Sequence, residues 1–196
     1  MDGSLLLAGG GNDPNLKCLE AAAAAAGVRT QTLYRTAGEE PAVLWSADSN
    51  RLIVNGEEIT SKAIFIRHDV FSYLSSGSQN DSNLAQSWYG LAIGWCLSNP
   101  EVACFNRRFD FRSSSKMSVL SFAHQIGIAI PPTRVTNDRA EVESAINSGF
   151  GTVAKPIAGG GYCKELQDLR AEVEWRNNRA PAPAFIQPKL TYPEYR

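Results

Sequence analysis

Residues 152–162 read TVAKPIAGGGY. Lys155 precedes a proline, which biases its backbone towards the extended region. Gly159, Gly160 and Gly161 follow almost at once. Consecutive glycines can take positive φ and bring backbone N–H groups close to an anion. An ammonium fixed beside such a loop suits a nucleotide phosphate. The residues alone leave a second reading open, a strand-end lysine followed by a flexible turn. Lys116 heads a helical pattern, KMSVLSFAHQIG. A cation there opposes the helix dipole, at a cost of a few tenths of a kcal/mol unless an anion is near. The alternative is a solvated lysine that carries that small penalty.

Other candidates are weaker. Gly9, Gly10 and Gly11 are followed by Asn-Asp-Pro. That departs from GxGxxG, and no acidic residue closes the next strand before Glu39, so a tight strand-to-helix turn is favoured over a dinucleotide site. His68 stands between Arg67 and Asp69 at a strand end, where open α/β sheets place ligands. A substrate contact through Arg67 and His68 competes there with a salt-bridged edge. His124 lies off the apolar stripe of its helix and reads as surface. No Ser/His/Asp or Cys/His pattern stands out. Cys18, Cys96, Cys104 and Cys163 have no paired spacing. They read as free thiols, consistent with a reducing cytoplasm, and not as a zinc site.

The elements that position these residues belong to a chain of 196 residues with net charge −1 and 43% hydrophobic content. That length can bury a core without staples. The charge balance gives no global field for nucleic acid or an anionic membrane. No run approaches the roughly 18 apolar residues of a membrane span, and the N-terminal SLLLAGGG lacks the form of a signal peptide. SLLLAGGG reads as a buried strand. A helix follows, with Asp13 as N-cap, Pro14 in its first turn and Gly27 closing it. VRTQTLY is a second strand, so the chain opens as an α/β sheet. Asn55-Gly56 between short apolar runs predicts a hairpin. Residues 63–66 predict a strand covered on both faces. Leu84, Trp88, Leu91, Ala92 and Trp95 share one helical face, with the two tryptophans open to a core or an interface role. VACFN closes the first unit as a short strand.

RRFDFRSSSK marks the domain boundary. Beyond it, the helix from Lys116 carries the stripe Val119, Phe122, Ala123 and Ile126, with Ser115 as cap and Gly127 as stop. IAIPPTRVT is extended. NDRAEVESAINSG is a helix capped by Asn137. FGTVAKPI is a strand and YCKEL a short one. DLRAEVEWRNN is a polar helix, and APAP leads into the strand AFIQ.

In this order, KMSVLSFAHQIGIAIPPT, VAKP, the glycine loop, a polar helix and FIQPKLTYPEYR, residues 100–196 resemble the ATP-grasp superfamily. That superfamily includes D-alanine–D-alanine ligases, glutathione synthetases and ribosomal-protein glutamate ligases. GIAIPPTRVTN and NGEEITSKAIFIRHDV look most like its peptide-modifying branch, which includes the microviridin (graspetide) cyclases. The resemblance implies an α/β chain. A Rossmann-like pre-ATP-grasp domain would span 1–111 and an α+β middle subdomain 112–186. The hinge and the start of a third subdomain would occupy 187–196.

The resemblance also implies roles. Lys116 and Lys155 match the lysines that contact nucleotide phosphates, and Gly159, Gly160 and Gly161 the loop that folds over them. Gln187 falls near the adenine amino group, Leu190 at the hinge beside the adenine edge, and Glu194 at the ribose hydroxyls. Arg196 matches a residue that opens the next strand. Pro188 departs from the pattern by removing a hinge N–H. The implied chemistry is phosphorylation of a carboxylate by ATP, then attack on the acyl phosphate by an amine or a hydroxyl. The carboxylate belongs to a small molecule or a peptide. Mg²⁺ is implied, with its ligands on strands after Arg196 and none in this chain, so the chain alone is expected not to complete the reaction. The rival is a non-catalytic module that keeps the fold to recognise a protein or peptide. Oligomeric state is left open, a homo-oligomer included.

Overall fold

A computed structural model of the chain describes residues 4–69, 78–105, 115–158 and 162–190. β1 (Ser4–Gly10), α1 (Pro14–Ala25) and β2 (Arg29–Arg35) form the expected opening. The Asp13 carboxylate accepts from the Asn15 N–H at 2.9 Å, which satisfies one of the helix's orphan donors. β6 (Ala63–Ile66) and β7 (Ala103–Cys104) complete a four-stranded parallel sheet in the order β2-β1-β6-β7. Leu6 and Leu7 of β1 are fully buried. In β6 only Ile64 is, and Ala63, Phe65 and Ile66 are half-buried, so this strand is covered less completely than its apolar run suggests.

The second sheet has seven strands, all antiparallel, in the order β10-β9-β11-β8-β3-β4-β5. β8 (Arg134–Asp138), β9 (Val153–Pro156), β10 (Lys164–Glu165) and β11 (Arg179–Gln187) come from the second half of the chain. β3 (Val43–Ser46), β4 (Leu52–Val54) and β5 (Glu57–Glu58) come from the first half. The β4–β5 turn is the Asn55-Gly56 pair, with φ of 50° and 82°. Both values are left-handed, as a two-residue hairpin turn requires. β3 was not anticipated. It pairs with β4 on one side and β8 on the other, placing Trp45 opposite both Leu52 and Val135.

α2 (Gln79–Ser98) packs against β1, β6 and β11. Its Trp88 and Trp95 are buried in one core with Leu6, Trp45, Ile64, Met117 and Phe185. The tryptophans are therefore core residues, and that core joins the two sheets. A smaller core of Val142, Ala145, Ala154, Leu166 and Ile186 lies under α4 (Arg139–Asn147) and α5 (Leu166–Glu172).

Three local expectations are corrected. α3 (Lys116–Gln125) turns Met117 and Ser121 inward, while Val119, Phe122 and Ile126 are 51%, 61% and 56% exposed. Gly94 of α2 allows the close approach that sets this rotation. A Cβ at Gly94 would lie 2.6 Å from Met117 Sδ and 2.7 Å from Ser115 Oγ. The cap of α4 is Asp138, whose carboxylate accepts from the Ala140 N–H at 2.8 Å. Asn137 stays in β8 and is buried. Its Oδ1 accepts from Val43 N–H at 2.9 Å, and its Nδ2 donates to the Pro41 and Ala180 carbonyls at 3.0 and 3.3 Å. Finally, α5 ends at Glu172 because the chain turns back through Asn177 and Asn178, with φ of 49° and 61°. β11 then takes in the proline segment. Its register with β8 shifts between Arg179 and Ala184, where Pro181 and Pro183 offer no N–H to the ladder.

Among the described residues no helix is long and apolar enough to cross a membrane. All four cysteines are free.

Candidate functional site

Val153 and Ala154 are buried in β9, and the strand emerges at Lys155, which is exposed. Lys155 pairs with Phe185 of β11 in the antiparallel register, and Gln187 pairs with Val153. Directly opposed residues share a face, as do residues two apart on one strand. Lys155, Phe185, Val153 and Gln187 therefore lie on one face. Ala154 and Ile186 lie on the other, over α4 and α5.

α3 delivers the second lysine to the same strand end. Ser115 caps the helix through a hydrogen bond from Met117 N–H at 3.3 Å. The ammonium of Lys116, at the first helical position, donates to the Pro156 carbonyl at 3.0 Å. The structure thus brings Lys116 and Lys155 to the end of β9, although 38 positions of sequence separate them. β10 runs antiparallel beside β9. Gly159, Gly160 and Gly161, in the connection between them, lie outside the described residues, as do Glu194 and Arg196.

Gln187 closes β11 and is buried. Its Nε2 donates to Thr133 Oγ1 at 2.8 Å, and Thr133 Oγ1 donates to the Pro131 carbonyl at 2.7 Å. The backbone beyond is tied to β9. Thr152 N–H donates to Gln187 O at 3.0 Å, and Lys189 N–H donates to Thr152 Oγ1 at 2.7 Å. Leu190 projects outward, 62% exposed.

A second polar group forms at the C-terminal ends of the parallel strands. Arg67 Nε pairs with the Asp13 carboxylate, whose side chain is wholly buried, and Arg35 pairs with Asp69 at 3.5 Å. Asp69 sits where a side chain on Gly10 would be. A Cβ there would lie 2.4 Å from Asp69 Oδ1, so glycine is required by close approach. His68 meets Tyr89 edge-on, with ring centroids 5.0 Å apart. Burial pushes its imidazole below the usual 6.5, against the opposing pull of the Asp69 charge. Arg67 and Asp69 thus make the salt-bridged edge that was one of the two readings of this segment.

α2 connects the two groups. Tyr89 touches His68, and its neighbour Gly90 lets the helix close onto the segment after β9. A Cβ on Gly90 would lie 3.0 Å from Ile157 Cγ2 and 3.5 Å from Ala158 Cβ. The sequence signal for this approach is Gly90 itself, a glycine inside a helical pattern.

The sequence also missed a cavity of about 340 Å³ bordered by Leu166, Leu169, Trp175, Pro181, Pro183 and Ile186, with Lys155, Lys164 and Arg170 along it. Among the described residues no group of three His, Cys, Asp or Glu side chains could hold a metal ion.

No protein-family model matches the chain, and no curated protein does. Its structure is similar to solved structures of ATP-grasp ligases and of a macrocyclase. The ATP-grasp ligase PsnB, complexed with a minimal precursor, Mg and ADP, is 21% identical with a TM-score of 0.38. The match covers 95% of this chain and 63% of that one. The macrocyclase MdnC, bound with precursor peptide MdnA from Microcystis aeruginosa MRC, is 14% identical with a TM-score of 0.30, over 94% of this chain and 67% of that one. A RiPP-associated ATP-grasp ligase from Chryseobacterium gregarium, in complex with ADP and a leader and core peptide, is 15% identical with a TM-score of 0.34. That match covers 94% of this chain and 62% of that one. The chain spans a little under two thirds of the length of the first of these.

Proposed function

We propose that the chain supplies phosphate- and base-binding surfaces of an ATP-dependent ligase. Such a ligase activates a carboxylate as an acyl phosphate for attack by an amine or a hydroxyl. The observation that carries this reading is that Lys116 donates to the carbonyl of Pro156, the neighbour of Lys155, at the end of β9 and at the root of the connection that holds Gly159, Gly160 and Gly161. One ammonium at a strand end is ordinary. Two on one strand end, one of them drawn from a helix start where a cation is disfavoured, suit a polyphosphate.

The donor set fits a nucleotide. Lys155 is exposed, and among the described residues its side chain makes no hydrogen bond. Among the described residues the Lys116 ammonium holds one partner, the Pro156 carbonyl, which a phosphate can replace at little cost. Gln187 stands on the Lys155 face, two strand positions away, with its amide nitrogen already committed to Thr133. In this reading Lys116 and Lys155 neutralise phosphate charge, the glycines supply N–H groups, Gln187 and Leu190 flank the base, and Glu194 holds the ribose. Arg67 and His68, on the far side of α2, face the acceptor side, and Arg196 belongs to the strand that follows the hinge. Mg²⁺, when bound, would offset phosphate charge, and among the described residues no group of three His, Cys, Asp or Glu side chains would hold it. The division into a Rossmann-like domain to about residue 111, a middle subdomain to 186 and a hinge segment from 187 is part of this proposal. So is the peptide or small acid as substrate.

The cavity of about 340 Å³ favours a second reading, a module that binds a protein or peptide without catalysis. Calorimetric titration with ATP separates the two. The ligase reading expects saturable binding that Lys155→Ala weakens. Equal affinity of the wild type and Lys155→Ala would remove the phosphate role of Lys155 and leave the module.

A further inference from the structure

The turn at Asn177 and Asn178, just before β11, sets two cations side by side. Arg176 and Arg179 exchange backbone hydrogen bonds of 3.0 and 2.8 Å across it. Residues paired in this way present their side chains on one face, where like charges repel. Glu174 takes up Arg176, whose Nε and Nη2 donate to Oε1 at 3.0 and 2.8 Å. Arg179 has no such neighbour. Among the described residues its guanidinium makes no hydrogen bond or ion pair, and its Nε is sealed from solvent without one. A guanidinium keeps its proton, and a charge partly withdrawn from water without a partner is costly.

Arg179 borders a cavity of about 170 Å³ that also meets Arg35, Glu40 and Asp81. Glu40 is 5% exposed, and its carboxylate accepts from the Gly38 N–H at 3.1 Å. Its charge also acts at longer range on Arg176. Asp81 stands in the first turn of α2, where a carboxylate suits the helix dipole. Arg35 is buried and pairs with Asp69 at 3.5 Å. Among the described residues no ion pair joins Arg179 to Glu40 or to Asp81. Opposite charges therefore border one cavity without neutralising each other. The space holds a small solute and not just a single water. An inorganic anion there would meet Glu40 and Asp81, and a simple cation would meet Arg179 and Arg35. A molecule with both signs on neighbouring atoms suits both walls.

We propose that this cavity binds a free α-amino acid. The Arg179 fork holds its carboxylate, and Glu40 and Asp81 receive its ammonium. The cavity shares no residue with the lysine-bearing end of β9, so the proposal does not depend on nucleotide binding.

The test is an NMR titration of the full chain, without nucleotide, against each standard L-amino acid. At least one is expected to bind saturably in the millimolar range or tighter. Its methyl ester lacks the carboxylate charge, and its N-acetyl derivative lacks the ammonium. Each is expected to bind ~10- to 100-fold more weakly, the range for hydrogen bonds to charged groups. Arg179→Met removes the fork and keeps an apolar stem. It should bring the amino acid down to the level of the ester and leave the ester nearly unchanged. Glu40→Gln should in the same way remove the preference over the N-acetyl derivative. If Glu40→Gln does not fold, Asp81→Asn carries that arm. An equal loss for all three ligands in Arg179→Met would mark a structural role and overturn the proposal. So would a wild type that binds no amino acid in the millimolar range, or one that binds the methyl ester as tightly as the free acid. Each of these results leaves the nucleotide reading standing.

Discussion

The ammonium of Lys116 lies 3.0 Å from the carbonyl oxygen of Pro156, the residue after Lys155. This contact converts two distant lysines into one cationic end of a strand. If that end binds phosphate, Lys116→Ala and Lys155→Ala should each weaken ATP by ~10- to 100-fold, the range for hydrogen bonds to charged groups. Adenosine should be almost unaffected. Calorimetry with both ligands checks this, and a parallel loss of adenosine affinity would point to a damaged fold.

Asn137 joins three segments of the larger sheet. It bonds Val43 N–H, the Pro41 carbonyl and the Ala180 carbonyl from within β8. Asn137→Ala leaves buried backbone groups without partners, at about 1–3 kcal/mol each. Allowing for relaxation, a loss of about 3 kcal/mol in urea unfolding is expected. A loss near 1 kcal/mol, typical of a removed helix cap, would restore the capping role that Asp138 has taken.

What the sequence made legible follows from how local each signal is. The β1–α1–β2 opening, the Asp13 cap and the Asn55-Gly56 turn depend on a few adjacent residues, and all three appear as expected. The strand end at Lys155 and the helix start at Lys116 also appear where expected, because a proline and a cap restrict the backbone around them. The pairing partner of β3 was not, since Val43–Ser46 finds β8 across some 90 positions. Nor was the partner of Arg67, because Asp13 looks complete as a helix cap until the second carboxylate oxygen is placed. The apolar stripe on α3 was legible, and its outward direction was not. Periodicity reports that a helix has an apolar face but not what that face meets.

The rotation of α3 gives a stability test. Phe122 is 61% exposed and Met117 is fully buried beside Gly94. Phe122→Ser should change stability by no more than about 0.5 kcal/mol. Met117→Ala should cost about 2–5 kcal/mol through lost burial and the cavity left behind. Urea midpoints of the two variants decide the matter, and the reverse order would place the sequence-derived stripe in the core.

His68 sets a pH dependence whose sign can be stated. Burial against Tyr89 lowers its affinity for a proton below that of a free imidazole near 6.5, while the Asp69 charge opposes the shift without reversing it. The unfolded chain therefore binds a proton at His68 at a higher pH than the folded one does. Stability falls wherever the unfolded state holds more protons as pH is lowered. The contribution is fully present above about 6.5, declines as pH drops towards the folded-state value, and is level below it. His68→Gln removes the titration and leaves the carboxylates common to both proteins. The wild type should lose more stability than His68→Gln between pH 7.5 and 5.0 in matched urea titrations. A smaller loss in the wild type would mean that Asp69 outweighs burial and that the imidazole is held charged.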